Sequence, residues 1–356
     1  MSQLQSIHPW TKSPLIVSAP MLNITLPELA VSVSSAGGLG FVAAGFDVSN
    51  LEIKLQRAAD LVKQDPKLSG LADNSTITLP VGVGFINWGA DIKASIAAIK
   101  KYRPCAVWFF GAKDPSASDL IPWAQQARTV TSGLTRIWVQ VGSLAEALSV
   151  AETIHPDVLV VQGSDAGGHG LARSASVISL VPEVCDALAH RQLYDITVLA
   201  AGGIVDARGV AAALALGASG VAMGTRFLAS KEASIAHGYQ AELLRVSDGG
   251  NVTVRSTVYD SIRGIKGWPE RYDGRGIINQ SYIDAVEGHM RDQENKRLYE
   301  EELKKGDAGW GPQGRLTTYA GTGVGIVKET LPAGDIVERI LAHLKAIGYK
   351  HPASVI

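Results

Sequence analysis

Residues 157–170 read Asp157-Val158-Leu159-Val160-Val161-Gln162-Gly163-Ser164-Asp165-Ala166-Gly167-Gly168-His169-Gly170. The apolar run Val158–Val161 has the unbroken β-branched character of a strand buried on both faces. It stops at Gln162 and passes into a loop almost free of side chains. Gly163, Gly167, Gly168 and Gly170 allow the backbone to press against a flat or anionic ligand. One histidine, His169, stands in that loop. An ordinary glycine-rich connector carrying a surface histidine would look the same, so the neighbouring units decide its meaning.

Outward from this stretch, short apolar runs alternate with helical periodicity. Strands are predicted at Leu15–Ala19, Leu39–Ala43, Leu79–Val83, Ala106–Phe110, Arg136–Val141, Asp157–Gln162, Thr197–Ala201 and Gly220–Met223. Helical spacing fills the intervals, for example Leu51–Gln64, Leu120–Thr131, Val177–His190 and Asp206–Leu216, the last with Asp206 as its N-cap. Unbroken alternation demands parallel strands with right-handed crossovers. Eight units favour an α/β fold of the (β/α)8 TIM barrel type. The competing doubly wound sheet wants a G-x-G-x-x-G turn after its first strand, and Ala19-Pro20-Met21-Leu22-Asn23 is not one.

In a barrel the chemistry sits where strands end. That face should carry Ala19-Pro20-Met21, Phe85, Gln140, Gln162, His169, Gly202-Gly203 and Gly224-Thr225. After residue 230 the alternation ceases. Asp248–Asn279 reads as irregular, Ile283–Lys305 as one charged helix, and Ile336–Lys345 as a closing helix. The expected division is a barrel core over 1–230, a mixed helical and irregular insertion over 231–330 packing over or beside the mouth, and a C-terminal helix over 331–356 docking on the barrel.

The 356 residues are 46% hydrophobic and 19% charged, with 33 basic against 34 acidic side chains. Such balance gives no basic stripe for nucleic acid. The apolar runs fall far short of the ~20 residues that cross a bilayer. Cys105 and Cys185 form no metal spacing or disulfide framework and read as buried thiols. No targeting segment is evident, so a cytoplasmic location is expected. The sequence leaves homodimer formation open.

Gly202-Gly203 and Gly224-Thr225 follow the last two barrel strands, the place where many barrels hold a phosphate on backbone N–H groups and a helix N-terminus. Gln140 and Gln162 end the fifth and sixth strands, where an amide both donates and accepts. Pro20-Met21 could pack on a flat ring. Together these features suggest FMN, with Gly167 and Gly168 giving its ring close approach. No metal site is expected. His169 would stand over the ring, as a base toward a carbon acid or as a hydrogen-bond partner of a nitro or carbonyl oxygen.

With those residues assembled, the chain resembles the nitronate monooxygenase family, formerly the 2-nitropropane dioxygenases, and its fungal-type members in particular. The motifs carrying the resemblance are Ala19-Pro20-Met21, Ala36-Gly37-Gly38-Leu39-Gly40, Gln162–Gly170, Ala201-Gly202-Gly203-Ile204, Met223-Gly224-Thr225-Arg226-Phe227 and Tyr319-Ala320-Gly321-Thr322-Gly323. The resemblance implies non-covalent FMN, an active-site role for His169, and a phosphate held by the two glycine turns. It also implies oxidation of an alkyl nitronate, or a nitroalkane, by O₂ to a carbonyl compound and nitrite. The chain departs from some bacterial members, which carry an asparagine after the third strand's Gly-Val where this chain runs Gly82-Val83-Gly84-Phe85, and from relatives with a lysine where it has Gln140. Open alternatives are an NAD(P)H-dependent quinone or enoyl-thioester reductase on the same scaffold, oxygenation of another small carbon acid, and an FMN-binding barrel without catalysis.

Overall fold

A computed structural model describes residues 3–72 and 78–348. Eight strands close a parallel barrel: β1 (Leu15–Ser18), β2 (Leu39–Gly45), β3 (Gly82–Ile86), β4 (Ala106–Phe110), β5 (Arg136–Val141), β6 (Val158–Gln162), β8 (Thr197–Ala201) and β9 (Gly220–Met223). β1 closes the ring, since Val17 sits opposite Leu39 on one side and Ala222 on the other.

The β-branched runs form these strands because both faces are covered. Val158 and Val160 of β6 point into the barrel, among Leu15, Phe41, Trp108, Trp138 and Leu199. Leu159 and Val161 point outward, onto the surrounding helices. Alternation of this kind is what the two-residue period of a strand requires. Phe41 packs on Trp138 with ring centroids 4.9 Å apart and edge-on against Trp108 at 5.2 Å, so the barrel floor is solid.

The third strand lies three residues later than its apolar run suggests. Gly84 looks like punctuation but, like Gly82, lies within the strand. A methyl at Gly82 would lie 2.3 Å from the Phe41 ring, and one at Gly84 2.3 Å from Pro20. The shift moves Phe85 off the mouth. Its side chain turns outward and packs on Phe109 and Trp123, with centroids 6.2 and 5.6 Å away, and Ile86 takes the place at the cavity.

The segment after residue 230 is more ordered than its sequence suggests. β10 (Thr253–Ser256) and β11 (Tyr272–Ile277) lie inside the stretch read as irregular. With β7 (Gly168–Leu171) they build a three-stranded antiparallel sheet in the order β10-β11-β7. The second half of the glycine loop is therefore a strand, in which His169 faces Gly274. The single charged helix is two, Gln280–Val286 and Asp292–Leu303. The chain breaks at Gly288-His289, where His289 adopts φ +49°. The closing helix runs from Ala333 to Ala346 and buries Ile336, Val337, Ile340 and Leu344 in the outer core. Residues 349–356, including His351, lie outside the described residues.

Candidate active site

One cavity of about 430 Å³ opens at the C-terminal ends of the barrel strands. Ala19, Pro20, Met21, Gln140, Gln162, Gly167, Gly168, His169, Gly202, Gly203, Gly224 and Thr225 all line it. Residues at all eight strand ends thus meet around one space, including Phe46, Ile86 and Phe110.

The glycines divide into two kinds. Gly167 is a packing glycine: a Cβ there would lie 2.4 Å from the Ala320 carbonyl carbon. Gly168 and Gly224 are open. A Cβ at Gly168 would meet nothing within 4 Å, and one at Gly224 only Met21 Sδ at 3.6 Å. Gly202 and Gly203 hold φ of +109° and +73°, which lets the turn after β8 fold against Asp165 and Ala166. A side chain would be strained at either position. Thr225 Oγ accepts from the Gly321 N–H at 2.9 Å, and its own hydroxyl hydrogen stays available to donate.

The two glutamines are oriented differently. Gln140 Oε1 accepts from Trp108 Nε1 at 3.0 Å, leaving its NH₂ as the free end. Gln162 donates its NH₂ to the His169 carbonyl at 3.1 Å, leaving Oε1. Gln162 therefore also positions the backbone that carries the histidine.

His169 is set by the segment beyond residue 230. Its Nε2 lies 2.8 Å from Asp260 Oδ2, and both side chains are 12% exposed. Asp260 Oδ1 accepts from the Tyr319 hydroxyl at 3.2 Å. The imidazole stacks on Trp268, and Arg263 lies over the Tyr319 ring at 5.3 Å. Beneath it, Arg255 donates to the carbonyls of Ala166 at 2.8 Å, Gly168 at 3.3 Å and Asp273 at 2.6 Å. Burial, with Arg275 nearby, pulls its pKa down to about 10, still well above neutral. Arg275 holds the Ser164 carbonyl at 3.2 Å. Burial raises the Asp273 carboxyl above its usual range, with Arg255 and His169 opposing the shift.

Sequence reasoning missed Asp260, Trp268, Tyr319 and the two arginines as site residues. Trp268-Pro269, Asp273-Gly274-Arg275 and Tyr319–Gly323 stand out in the chain, yet nothing local says where they go. Small residues at alternate positions, Gly274 and Gly276, were the available signal of a strand under large rings. A Cβ at Gly274 would lie 2.7 Å from Tyr319, and one at Gly276 3.3 Å from Tyr259.

The cysteines take no part. Cys105 is sealed in the barrel interior, and burial pushes its thiol far above the usual range. Burial, with Asp186 beside it, pushes Cys185 up to about 11. Neither supplies a thiolate near neutral pH. Among the described residues no group of three acidic, histidine or cysteine side chains could hold a metal ion, and no helix is long and apolar enough to cross a membrane.

The family profile of nitronate monooxygenases matches residues 85–343. A nitronate monooxygenase of Metarhizium robertsii is 50% identical over 341 residues, covering 95% of this chain and 93% of the relative. One from Neurospora crassa is 38% identical over 360 residues, covering 97% and 93%. Among solved structures, the nitroalkane oxidase of Streptomyces ansochromogenes superposes with a TM-score of 0.71 at 25% identity, over 97% of this chain and 99% of that one. FabK of Thermotoga maritima shares the fold, with a TM-score of 0.69 at 24% identity over 98% and 97% of the two chains. The match across most of the sequence, to relatives this similar, makes the chain a member of the nitronate monooxygenase family.

Proposed function

We propose that this protein oxidises alkyl nitronates, and the nitroalkanes from which they form, with FMN as cofactor and O₂ as oxidant, yielding a carbonyl compound and nitrite. The observation that carries the reading is the placement of His169 on the wall of the same cavity as Gly202-Gly203, Gly224-Thr225, Gln140 and Gln162.

The residues present fit FMN. A cavity of about 430 Å³ is in the range of cofactor sites, roughly 300–1,000 Å³. Gly168 and Gly224 keep wall surface clear that any side chain would fill. Backbone N–H groups at Gly202-Gly203 and Gly224-Thr225, with the Thr225 hydroxyl, would hold the phosphate. The free NH₂ of Gln140 and the free Oε1 of Gln162 would meet acceptor and donor edges of the heterocycle. Ala19, Pro20 and Met21 would pack along the ring. Bound FMN supplies an electron acceptor that O₂ can restore.

The chain's own contribution centres on His169. Toward a neutral nitroalkane its imidazole takes a proton from the carbon beside the nitro group, leaving the electron pair as the nitronate. Toward a preformed nitronate the ring, in its imidazolium form, donates a hydrogen bond to a nitro oxygen. Trp268, Phe110 and Ile86 line the same cavity and would shield the reacting end from bulk water. Under the same reading, residues 1–230 are the cofactor-holding barrel, 231–330 its cover, and 331–356 the helix that docks on its wall.

Purified protein should be yellow, with a flavin spectrum. It should release nitrite from propyl nitronate in air and stay oxidised with anaerobic NAD(P)H alone. A colourless protein would remove the cofactor assignment. Rapid bleaching by NAD(P)H without nitrite release would make it a reductase.

A further inference from the structure

His169 has a carboxylate partner supplied from 91 positions away in the sequence. A carboxylate at neutral pH only accepts hydrogen bonds. The 2.8 Å contact between Asp260 Oδ2 and His169 Nε2 therefore places the ring hydrogen on Nε2. Asp260 is itself fixed, by the Tyr319 hydroxyl on Oδ1 and by its seat in the helix Val258–Arg263. The imidazole has little freedom to turn away. It lies on Trp268, and its backbone is paired with Gly274 across β7 and β11. Nδ1 has no hydrogen-bond partner among the described residues, and His169 lines the cavity.

We propose that Asp260 is a positioning residue: it holds the proton on Nε2 of His169, so that Nδ1 is the nitrogen that meets the substrate. The proposal rests on the reading of His169 as base and hydrogen-bond partner. In the nitroalkane step the substrate C–H bond breaks, its electron pair stays on the substrate as nitronate, and the proton goes to Nδ1. The resulting imidazolium is paired with the Asp260 carboxylate, and the proton later leaves to water.

Other charged or titratable groups surround the ring. Asp273 approaches from β11, but no hydrogen bond links it to the imidazole. Arg255, from β10, is occupied by three backbone carbonyls. Arg263 lies over Tyr319, whose hydroxyl donates to Asp260. Asp260 alone bonds the imidazole, so the tautomer follows from that residue.

The test uses the flavin-loaded enzyme with ¹⁵N-labelled histidine, the His169 signals being those absent from His169→Asn. The wild type should show the neutral Nε2–H tautomer. In Asp260→Asn the new amide can donate to Nε2, which moves the ring hydrogen to Nδ1 and blocks the reacting nitrogen. Turnover of a neutral nitroalkane should then fall about 100-fold or more. Oxidation of the preformed nitronate, which needs no proton removal, should change less than about threefold. An Nδ1–H tautomer in the wild type overturns the proposal, even if the variant fails to fold. Equal losses on both substrates overturn it as well. The tautomer is read without turnover, so an enzyme that releases no nitrite defeats the functional reading while leaving this one standing.

Discussion

The imidazole of His169 lies flat on the indole of Trp268, with ring centroids 4.0 Å apart and planes 5° from parallel. Trp268 also touches Trp88, Phe110 and Tyr272, at centroid distances of 5.6 Å in each case. It therefore joins the ends of β3 and β4 to the segment beyond residue 230, with the histidine on its face. An aromatic pair of this kind contributes about 0.5–1.5 kcal/mol beyond its area, and a cationic ring on indole gains further. Replacing Trp268 with leucine should lower kcat/KM for nitronate by about two- to twelvefold, that energy expressed as a rate. Trp268→Phe should recover most of the loss. Steady-state kinetics with all three proteins check this, and an unchanged kcat/KM in Trp268→Leu would reduce the stack to packing alone.

The barrel was legible because each strand is a continuous apolar run with helices on its outer face, and such runs have few other places to go. β3 was misplaced because glycine is ambiguous. At Gly84 the residue makes room for Pro20 rather than ending a strand. The barrel-derived wall of the cavity was legible for the same topological reason, since strand ends in a barrel share one face. The contribution from beyond residue 230 was not. β7 and β11 each spend alternate positions on glycine, and their pairing spans about a hundred residues of intervening chain. Antiparallel pairing at that range leaves no local period, so Asp260 and Trp268 could not be placed beside His169 from spacing.

Gly167 sits where the glycine loop crosses the segment Ala320-Gly321-Thr322. The crossing is held by the Thr322 N–H on the Asp165 carbonyl and by the Thr322 hydroxyl on the Asp165 carboxylate, each at 3.0 Å. A methyl at Gly167 would be 2.4 Å from Gly321 N as well as from the Ala320 carbonyl carbon. Both neighbours are backbone and cannot move aside by changing rotamer. Gly167→Ala should cost about 1–3 kcal/mol of stability and copurify with less flavin. Thermal unfolding and the visible absorbance per protein would show it. Full flavin content with an unshifted Tm would contradict the contact.

His8 is an acid-sensitive group at the opposite pole of the barrel. It is 1% exposed, and neither ring nitrogen has a hydrogen-bond partner among the described residues. Burial, with Arg136 nearby, pushes its pKa down to about 3. The unfolded chain binds that proton near pH 6.5, whereas the folded chain stays neutral. The associated stability is thus complete above about pH 6.5 and is lost as pH falls from there toward 3, by at most ~1.4 kcal/mol per unit. His8→Leu removes the proton uptake. Between pH 6.5 and 5.0 the wild type should lose about 1.5 kcal/mol more than His8→Leu, by urea unfolding at each pH. Parallel losses in the two proteins would show that the histidine is reached by water.

Arg271 ties the segment beyond residue 230 to the barrel rim. Its guanidinium pairs with Glu146 and donates to the carbonyls of Ala112 and Asp114 at 3.0 and 2.9 Å. Glu146 is 6% exposed overall, and its other oxygen accepts from the Gly142 N–H at 2.8 Å. The carboxylate therefore cannot escape into water when its partner is removed. Breaking a buried pair from one side typically costs about 3–5 kcal/mol, because a charge is left without compensation, while removing both charges is far milder. With Arg271 about one-fifth exposed at its side chain, Arg271→Met should lie at the lower end, about 3 kcal/mol. Arg271→Met combined with Glu146→Gln should recover much of that loss. Because the residue next to Arg271 begins β11, the single variant should also loosen the sheet that carries His169, and nitronate turnover should fall together with Tm. If the double variant is no more stable than the single one, the cost lies in the two lost carbonyl contacts and not in the stranded carboxylate.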